Sequence, residues 1–530
     1  MPRTGTPRAR RGVVAALACL AMLAALAPAA SADDPVASNV AAARLSPTTP
    51  QLIDAALASG RITAAQATVY RGWALMRPDA LPAAFVSPTP WDGTLAMLEV
   101  TRALARMDPA RLSPALADVA ARVDTACPGS SGNLPNTKST NHFFIKYRTS
   151  SIGGGLTIGQ YAAALESTWK TEISTFGWAR PPKDPGAGVP GGRYLVRLDN
   201  LSSSLYGYVA GTTYARNNPA TGWNDRDSVA SCMVLNQNFS GFPSGPTDSL
   251  RATVAHEFNH SLQFGYGALT GFGKVKNVFV EGGASWMEDE VFDGADDNYF
   301  YLWPNFRTPM AQFDPKFPYP YWVVFRALTE RYGTGVKNGG ENVMQFFWEQ
   351  VSKEASTNLA AMGKALKHEG TSLGIAYHDA AIALRFNVGC GTTPKKWCLQ
   401  EGPAYVAAGG ANSNMASVAT IGDPVYAGKV ANDYALDWIG LPAGQGAFDF
   451  TLDVTSGGGK LRTSIVCRTA DTLSLLAPTE VAKGSTDATF TSVDPTGCDT
   501  VVAVITNENQ TKSSPKTITN TNYSVTTLPA

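Results

Sequence analysis

The sequence is poor in charged side chains and in histidine. Only 16% of its 530 residues are Asp, Glu, Lys or Arg, against about 25% in typical soluble proteins, and its 43 basic groups balance 43 acidic ones. The chain therefore lacks the excess of basic groups that nucleic-acid-binding proteins usually carry, and we expect no nucleic-acid partner. Hydrophobic residues make up 44% of the chain, which excludes a protein disordered throughout. Its length predicts two or three domains.

The apolar run at the N-terminus is too short for an ordinary membrane-spanning helix. It covers 15 residues, Val13–Ala27, whereas a span needs about 20. Four arginines precede it, and the small-residue sequence Ala30-Ser31-Ala32 follows it, just before two aspartates. This pattern is typical of a secretory signal peptide cleaved after Ala32, with an uncleaved anchor as the alternative. We expect residues 1–32 to be removed and the mature protein to be secreted, with no membrane association.

The cysteine count is odd, but signal-peptide cleavage changes it. Cleavage removes Cys19, four arginines and no acidic residue, which leaves six cysteines and a net charge of −4. Six cysteines in an exported chain are consistent with three disulfides, although the connectivity is not determined by sequence. Local spacing favours Cys390–Cys398 and Cys467–Cys498, which leaves Cys127–Cys232 by elimination. A four-cysteine zinc site is disfavoured because the chain has no C-x₂-C pair.

Helical and strand patterns divide the mature chain into regions. Residues 33–125 are rich in Ala, Leu and Arg and contain helical patterns, one of them behind a capping box at Thr63-Ala64-Ala65-Gln66. Residues 126–140 are rich in Pro, Gly, Ser and Asn, which predicts a linker. Residues 141–398 begin with strands and continue as a run of helices, and residues 399–530 contain short apolar runs between turn residues, which predicts a β-sandwich. The predicted fold class is α+β.

One segment combines two of the five histidines with a glutamate. His256-Glu257-Phe258-Asn259-His260 has the pattern H-E-x-x-H, within an apolar stretch that predicts a buried helix. Residues four apart on a helix share one face, so both imidazoles can reach one metal ion, for which we expect Zn²⁺. Glu257 is rotated by about 100° from His256, which places its carboxylate beside the open position of the metal. Two satisfied core histidines are the alternative.

A catalytic zinc ion usually takes three protein ligands. No third histidine follows at the x-x-G-x-x-H spacing, which excludes the metzincin arrangement. The segment Val280-Glu281-Gly282-Gly283-Ala284-Ser285-Trp286-Met287-Glu288 offers a carboxylate from a second helix, and Glu281 is the candidate third ligand. An acid favoured by the helix dipole is the alternative role for Glu281. Glu288 lies two turns further along and is expected to point at a different height.

The two motifs resemble those of the gluzincin metallopeptidases. The most similar pattern is that of the aminopeptidase-N-like members, whose second helix reads N-E-G-x-A-x-x-x-E. Over about residues 140–390, the resemblance implies a zincin-like catalytic domain, assigned to residues 141–398, with the two histidines and Glu281 as zinc ligands and Glu257 as general base and acid. Val280 replaces the family's Asn, and the Gly-x-Met-x-Asn exopeptidase signature is not visible, so aminopeptidase activity is not implied.

The resemblance also implies a tyrosine that stabilises the oxyanion of the reaction. Pro318-Tyr319-Pro320-Tyr321-Trp322 stands before a predicted helix that ends near Tyr332, as in the family. Tyr319 fits the spacing slightly better, and Tyr321 is better placed as the first helical residue, so both are candidates. A phenol aimed at a developing oxyanion stabilises the transition state. Aromatic packing is the alternative role for both.

These features together predict a secreted, monomeric zinc endopeptidase that acts on proteins or peptides. Residues 33–125 form either a propeptide that covers the cleft or a permanent subdomain. The acidic loop Asp293–Asn298 offers oxygen ligands for Ca²⁺, although a solvated turn also accounts for it. The alternative function is a catalytically idle zincin scaffold whose β domain binds protein or glycan at the cell surface. The intact Glu257 favours the enzyme.

Overall fold

The structure, a computed structural model, describes most of residues 46–530. The positions in this range that it does not describe are 126, 131–132, 185–186, 226, 268–274, 303–309, 311–317, 333–341, 355–357, 392–395, 411–414 and 511–517. The predicted signal peptide, residues 1–32, and the first part of the predicted helical region lie outside the described residues.

Four α-helices lie in the described part of the N-terminal region. They are α1 (Thr49–Ala58), α2 (Ala64–Met76), α3 (Thr94–Leu104) and α4 (Pro114–Val123). The predicted capping box is present at the start of α2, where the Thr63 hydroxyl accepts a hydrogen bond from the Gln66 N–H and the Gln66 side chain accepts one from the Thr63 N–H. Helix α1 begins with the same motif. Local hydrogen bonds therefore determine where both helices begin.

A mixed five-stranded sheet follows these helices along the chain. Its strands are β1 (Asn136–Ser139), β2 (Phe143–Tyr147), β3 (Tyr194–Asp199), β4 (Gly207–Arg216) and β5 (Ser228–Asn236). They are ordered β1-β2-β3-β5-β4, with β2, β3 and β5 parallel and with β1 and β4 antiparallel at the two edges. All nine residues of β5 are buried, as expected for an inner strand. Strand β1 lies where composition predicts a linker, because its polar residues pair with β2 without an apolar pattern of their own.

Further helices follow along the chain, and one that packs on the sheet carries the H-E-x-x-H segment. They are α5 (Ile158–Trp169), α6 (Gly245–Gly265), α7 (Asn277–Val291), α8 (Trp322–Tyr332), α9 (Asn342–Glu354), α10 (Asn358–His368), α11 (Leu373–Phe386) and α12 (Gly402–Tyr405). A π-helical turn, Lys170–Thr175, continues α5. Helix α6 is buried without interruption from Ala252 to Gly265 and packs against β4, β5, α5 and α7. The predicted buried helix is therefore confirmed.

Two further sheets form the C-terminal part of the chain. Their strands are β6 (Ala416–Ser417), β7 (Tyr426–Ala431), β8 (Leu436–Leu441), β9 (Phe448–Ser456), β10 (Lys460–Thr469), β11 (Thr472–Leu475), β12 (Glu480–Lys483), β13 (Ala488–Val493), β14 (Thr500–Asn507) and β15 (Asn520–Pro529). One sheet is ordered β11-β10-β14-β8-β6, with β12 paired to β10, and the other is ordered β13-β9-β15-β7. Ile465 and Ile505 of the first sheet share one hydrophobic cluster with Phe450 and Val525 of the second.

Helix α11 joins the helical part to the C-terminal sheets. The two ring nitrogens of His378 are each 2.8 Å from a hydroxyl oxygen, of Thr506 and of Ser464, and the Trp438 indole N–H donates to the Ala381 carbonyl. Contacts between Cα atoms place residues 46–530 in one unit. Helices and sheets thus occur together, as the α+β class requires.

Three disulfides link the chain. They are Cys127–Cys232, Cys390–Cys398 and Cys467–Cys498, which confirms the pairing that spacing and elimination favour. Disulfides of this kind are typical of an oxidising, extracellular-like environment. Among the helices that the structure describes, none is long and apolar enough to cross a membrane.

Candidate metal centre

The two histidines of the H-E-x-x-H segment converge on one point in the core. Both lie on α6, and the Nε2 atoms of His256 and His260 are 3.1 Å apart. Both side chains are buried. Two imidazole lone pairs at this distance repel each other unless a proton or a metal ion lies with them. The local helical spacing therefore produces the pair that the sequence predicts.

Helix α7 brings Glu281 to the same point. Its Oε2 atom lies 3.3 Å from His256 Nε2 and 3.4 Å from His260 Nε2. A tetrahedral ion with bonds of about 2.0–2.1 Å holds its donor atoms about 3.3 Å apart, so the three atoms already have the spacing of metal ligands. The other carboxylate oxygen of Glu281 is buried and has no hydrogen-bond partner in the described part of the chain. The three residues form a buried group that can hold a metal ion.

Charge favours the ionised form of Glu281. Burial by itself opposes ionisation, but the neighbouring His260 and His256 lower the pKa of the Glu281 carboxyl to about 2. An ionised carboxylate is the form that binds a cation.

The outer nitrogen of each imidazole is oriented by a polar side chain. His256 Nδ1 is 2.7 Å from Glu288 Oε1, and His260 Nδ1 is 2.9 Å from Gln263 Oε1. The Gln263 amide donates to Asn259 Oδ1 and to the Val280 carbonyl, so its oxygen faces the histidine. Both Nδ1 atoms then carry the proton, and both Nε2 lone pairs are available to a metal.

Glu288 contacts a histidine of the metal group, although its position two turns beyond Glu281 predicts that it points at a different height along the helix. It is not in the ligand group, but it contacts the far side of a ligand imidazole. The contact arises because α7 packs against α6, so residues two turns apart on α7 reach two sides of the same ring. The predicted motif contained Glu288 but did not indicate this contact.

Glu257 lies beside the group and is completely buried. Its Oε2 atom accepts a hydrogen bond of 2.7 Å from the Thr94 hydroxyl, and its Oε1 atom has no hydrogen-bond partner among the residues that the structure describes. Burial raises the pKa of the Glu257 carboxyl to about 7, against the opposing effect of His260 and His256. An oxygen without a partner and a raised pKa suit a group that exchanges protons with water.

An aspartate from the N-terminal region reaches the same centre. Asp92 Oδ2 lies 3.9 Å from His256 Nε2 and accepts a hydrogen bond from the Tyr301 hydroxyl. Asp92, His256 and Glu257 form a second group that can hold a metal ion. Burial raises the pKa of Asp92 to about 6, against the effect of His256. Sequence reasoning missed both Asp92 and Thr94, because Thr94 and its partner Glu257 are 163 residues apart and no local motif connects them.

The two candidate tyrosines occupy different environments. Tyr319 lies at the centre: its ring is 6.2 Å from that of His256, and its hydroxyl oxygen accepts a hydrogen bond from the Asp92 backbone N–H. Tyr321 points toward α11, where its hydroxyl is 3.3 Å from that of Tyr377. Burial and Tyr377 raise the pKa of Tyr321.

The acidic loop considered for Ca²⁺ does not gather its carboxylates in the described structure. Asp297 turns inward and accepts a hydrogen bond from the Ser249 hydroxyl, and the Asn298 amide donates to Asp289. The possible metal groups found among the described residues do not include any residue of Asp293–Asn298.

No protein-family model matches the chain, and no curated protein sequence is significantly similar to it.

Proposed function

We propose that this chain is a secreted zinc-dependent peptidase that hydrolyses peptide bonds in proteins or peptides. The observation that carries the proposal is the meeting of His256, His260 and Glu281 at donor distances of 3.1–3.4 Å, beside Glu257. Two imidazoles and one carboxylate are a ligand set of catalytic zinc, which keeps a fourth position for water or substrate. The resemblance of both helices to the gluzincin motifs supports the same function.

The chemistry assigned to the protein is mainly proton transfer by Glu257. A bound zinc ion would supply a Lewis acid that polarises the scissile carbonyl. Glu257 accepts a proton from the attacking water at Oε1, the oxygen for which the described residues offer no hydrogen-bond partner. Its raised pKa makes it a stronger base than an ordinary glutamate near neutral pH. The same carboxyl then donates this proton to the amine that leaves.

The other residues of the centre orient and stabilise the reacting groups. Glu288 and Gln263 hold the two imidazoles through their Nδ1 atoms. Tyr319 is the assigned donor to the oxyanion, because its ring lies 6.2 Å from that of His256, whereas the hydroxyl of Tyr321 is engaged with that of Tyr377.

The proposal includes a finer interpretation of the fold and location. We interpret residues 141–398 as a zincin-like catalytic domain and residues 399–530 as a β-sandwich, supported by the hydrophobic cluster that both C-terminal sheets share. Residues 1–32 are interpreted as a signal peptide. The three disulfides support export.

The test compares the protein without residues 1–32 with its Glu257→Gln variant. Metal content is measured by mass spectrometry, and casein hydrolysis is measured before and after limited proteolysis, with and without a chelator. We expect one zinc per chain in both proteins. Glu257→Gln should lower hydrolysis by about 10²–10⁴-fold, the usual contribution of a general base.

Chelation should abolish hydrolysis by the wild type, and added zinc should restore it. Zinc-loaded wild type and Glu257→Gln that are equally inactive under all conditions would favour the idle scaffold. Absence of zinc from both would refute the metal assignment itself.

A further inference from the structure

The candidate metal centre is closed by the N-terminal region. His256, Glu257, His260 and Glu281 are each at most 1% exposed. A cavity of about 230 Å³ remains beside Asp92, between α1, α3 and Tyr319, which is smaller than the ~300 Å³ and upward of sites for drug-sized ligands. An extended peptide therefore cannot reach the metal ligands while the N-terminal helices occupy this position.

The residues that close the centre form a short stretch that leads into α3 and includes its first residue, Thr94. We call Trp91–Thr94 the covering segment. The Trp91 N–H donates to the Ser204 carbonyl, and the Trp91 carbonyl accepts from the Tyr206 N–H, which makes a parallel bridge with Leu205. The Gly93 N–H then donates to the Gly207 carbonyl, at the start of edge strand β4. The covering segment thus binds beside the sheet edge through main-chain hydrogen bonds, as peptides do when they add to a sheet.

Two side chains of the covering segment lie beside the metal-ligating His256 and the general base Glu257. The Asp92 carboxylate lies 3.9 Å from His256 Nε2 and belongs to a possible metal-ligand group with His256 and Glu257. The Thr94 hydroxyl donates to Glu257 Oε2 and accepts from the Val209 N–H. One segment therefore places a carboxylate beside one of the metal-ligating histidines and restrains the base.

We infer that residues 46–125 inhibit the centre in the intact chain, with Asp92 occupying the coordination position that substrate and water need. This inference rests on the proposed function, since it assigns regulation to the same site. Carboxylate oxygen is an ordinary zinc ligand, and Asp92 lies 3.9 Å from His256 Nε2 in a group with His256 and Glu257, so its carboxylate competes with water and substrate for a metal ion held beside the base. Displacement of the covering segment then opens the centre.

The connection of the covering segment to the rest of the chain limits how it can be displaced. Cys127 follows α4 and is bonded to Cys232 of β5, so a cut after Cys127 leaves the segment attached. A cut between α3 and α4, where the Arg111 side chain is 87% exposed, separates Asp92 from this disulfide. Trp91 and Met97 share a hydrophobic cluster with Leu205 and Val234, so apolar contacts hold the covering segment in place after such a cut until the cut fragment dissociates.

The test measures access to the metal and not only hydrolysis. The full chain without residues 1–32 is loaded with Co²⁺, and acetohydroxamate, a small metal-chelating ligand, is titrated into it while visible absorption is recorded. Variants Asp92→Ala and Asp92→Asn are compared with Asp54→Asn, because Asp54 lines the same cavity but pairs with Arg71. Circular dichroism checks that each variant folds. If Asp92→Ala does not fold, the isosteric Asp92→Asn is used for the comparison.

We expect both Asp92 variants to bind acetohydroxamate at least about tenfold more tightly than the wild type. When a binding site is open for about one-tenth of the time, its apparent affinity is about tenfold lower than that of a site that is always open. Their cobalt spectra should differ from the wild-type spectrum before ligand is added, and Asp54→Asn should match the wild type in both measurements.

Folded, cobalt-loaded Asp92 variants with wild-type spectra and wild-type acetohydroxamate affinity would overturn the inference. Loss of cobalt from Asp92→Asn as severe as that from Glu281→Ala would also overturn it, because Asp92 would then be a structural ligand. Failure of the wild type to bind Co²⁺ or Zn²⁺ would instead refute the proposed function.

Discussion

The hydrogen bond between Glu288 and His256 gives a quantitative test of the metal centre. The carboxylate is 5% exposed, and its Oε1 atom is 2.7 Å from Nδ1 of the imidazole. It keeps the proton on Nδ1 and the lone pair of Nε2 directed at the metal position. Glu288→Ala removes this partner without removing any of the three assigned ligands. The variant therefore measures how much the orientation of His256 contributes to metal binding, while all three metal ligands remain present.

The magnitude follows from the burial and charge of this contact. Partners behind a ligating histidine are typically worth about 10–100-fold in metal affinity, which corresponds to about 1.4–2.7 kcal/mol. A hydrogen bond to a charged group contributes about 1.5–3 kcal/mol, in agreement with that range. Burial raises the pKa of Glu288 to about 8, against the opposing effect of His256, so the variants are compared above pH 8, where Glu288 is charged and Glu288→Gln retains an acceptor oxygen but loses the charge. Since neutral hydrogen bonds are about half as strong, we expect about a tenfold loss for Glu288→Gln and a larger one for Glu288→Ala.

Zinc affinity is measured by competition with a chromophoric chelator at constant pH. Glu290→Gln is the matched control, because this nearby carboxylate on α7 pairs with Arg326 and not with a histidine; its zinc affinity should equal that of the wild type. Thermal unfolding of the apo proteins shows whether each variant is folded. Wild-type zinc affinity in a folded Glu288→Ala protein would refute this account of the centre.

Three further predictions concern the disulfide, the tyrosines and pH. Replacement of Cys127 and Cys232 by serine opens a loop of 105 residues and should lower the free energy of unfolding by about 2–5 kcal/mol; equal denaturant midpoints for variant and wild type would contradict this. Tyr319→Phe should lower kcat by about 10²-fold, whereas Tyr321→Phe should leave kcat within about twofold of the wild type at permissive temperature, and the reverse order would transfer the oxyanion role to Tyr321. Burial raises the pKa of Glu257 to about 7, a bound cation lowers it, and a general base acts only when deprotonated. The value of kcat/KM should therefore rise with pH, with the midpoint of the rise at or below about pH 7. A midpoint above about pH 8 would contradict the assignment.

Elements with a strong local pattern agree closely with the sequence prediction. Apolar periodicity predicts a helix over 373–386, and α11 spans Leu373–Phe386. Strand β4 was not predicted, because Gly207 and Gly211 interrupt its sequence and its pairing with β5 forms the strand. The composition of β1 predicts a linker for the same reason, since pairing with β2 and not its own polar sequence places it in the sheet.

The sequence alone determined the part of the centre that depends on one helix. Spacing of four residues places His256 and His260 on one face, and the rotation of Glu257 places it beside them; both are properties of local backbone geometry. The small number of histidines made this pair conspicuous. Local geometry likewise favoured the two disulfides between nearby cysteines.

Only the tertiary structure decided the contacts that depend on packing between distant segments. The packing of α7 on α6 set the distances of Glu281 from both imidazoles and turned Glu288 toward His256. The pairing of Trp91 beside β4 carried Asp92 and Thr94 to the centre. Such contacts result from how apolar faces bury one another over the whole chain, and no spacing within a single segment encodes them.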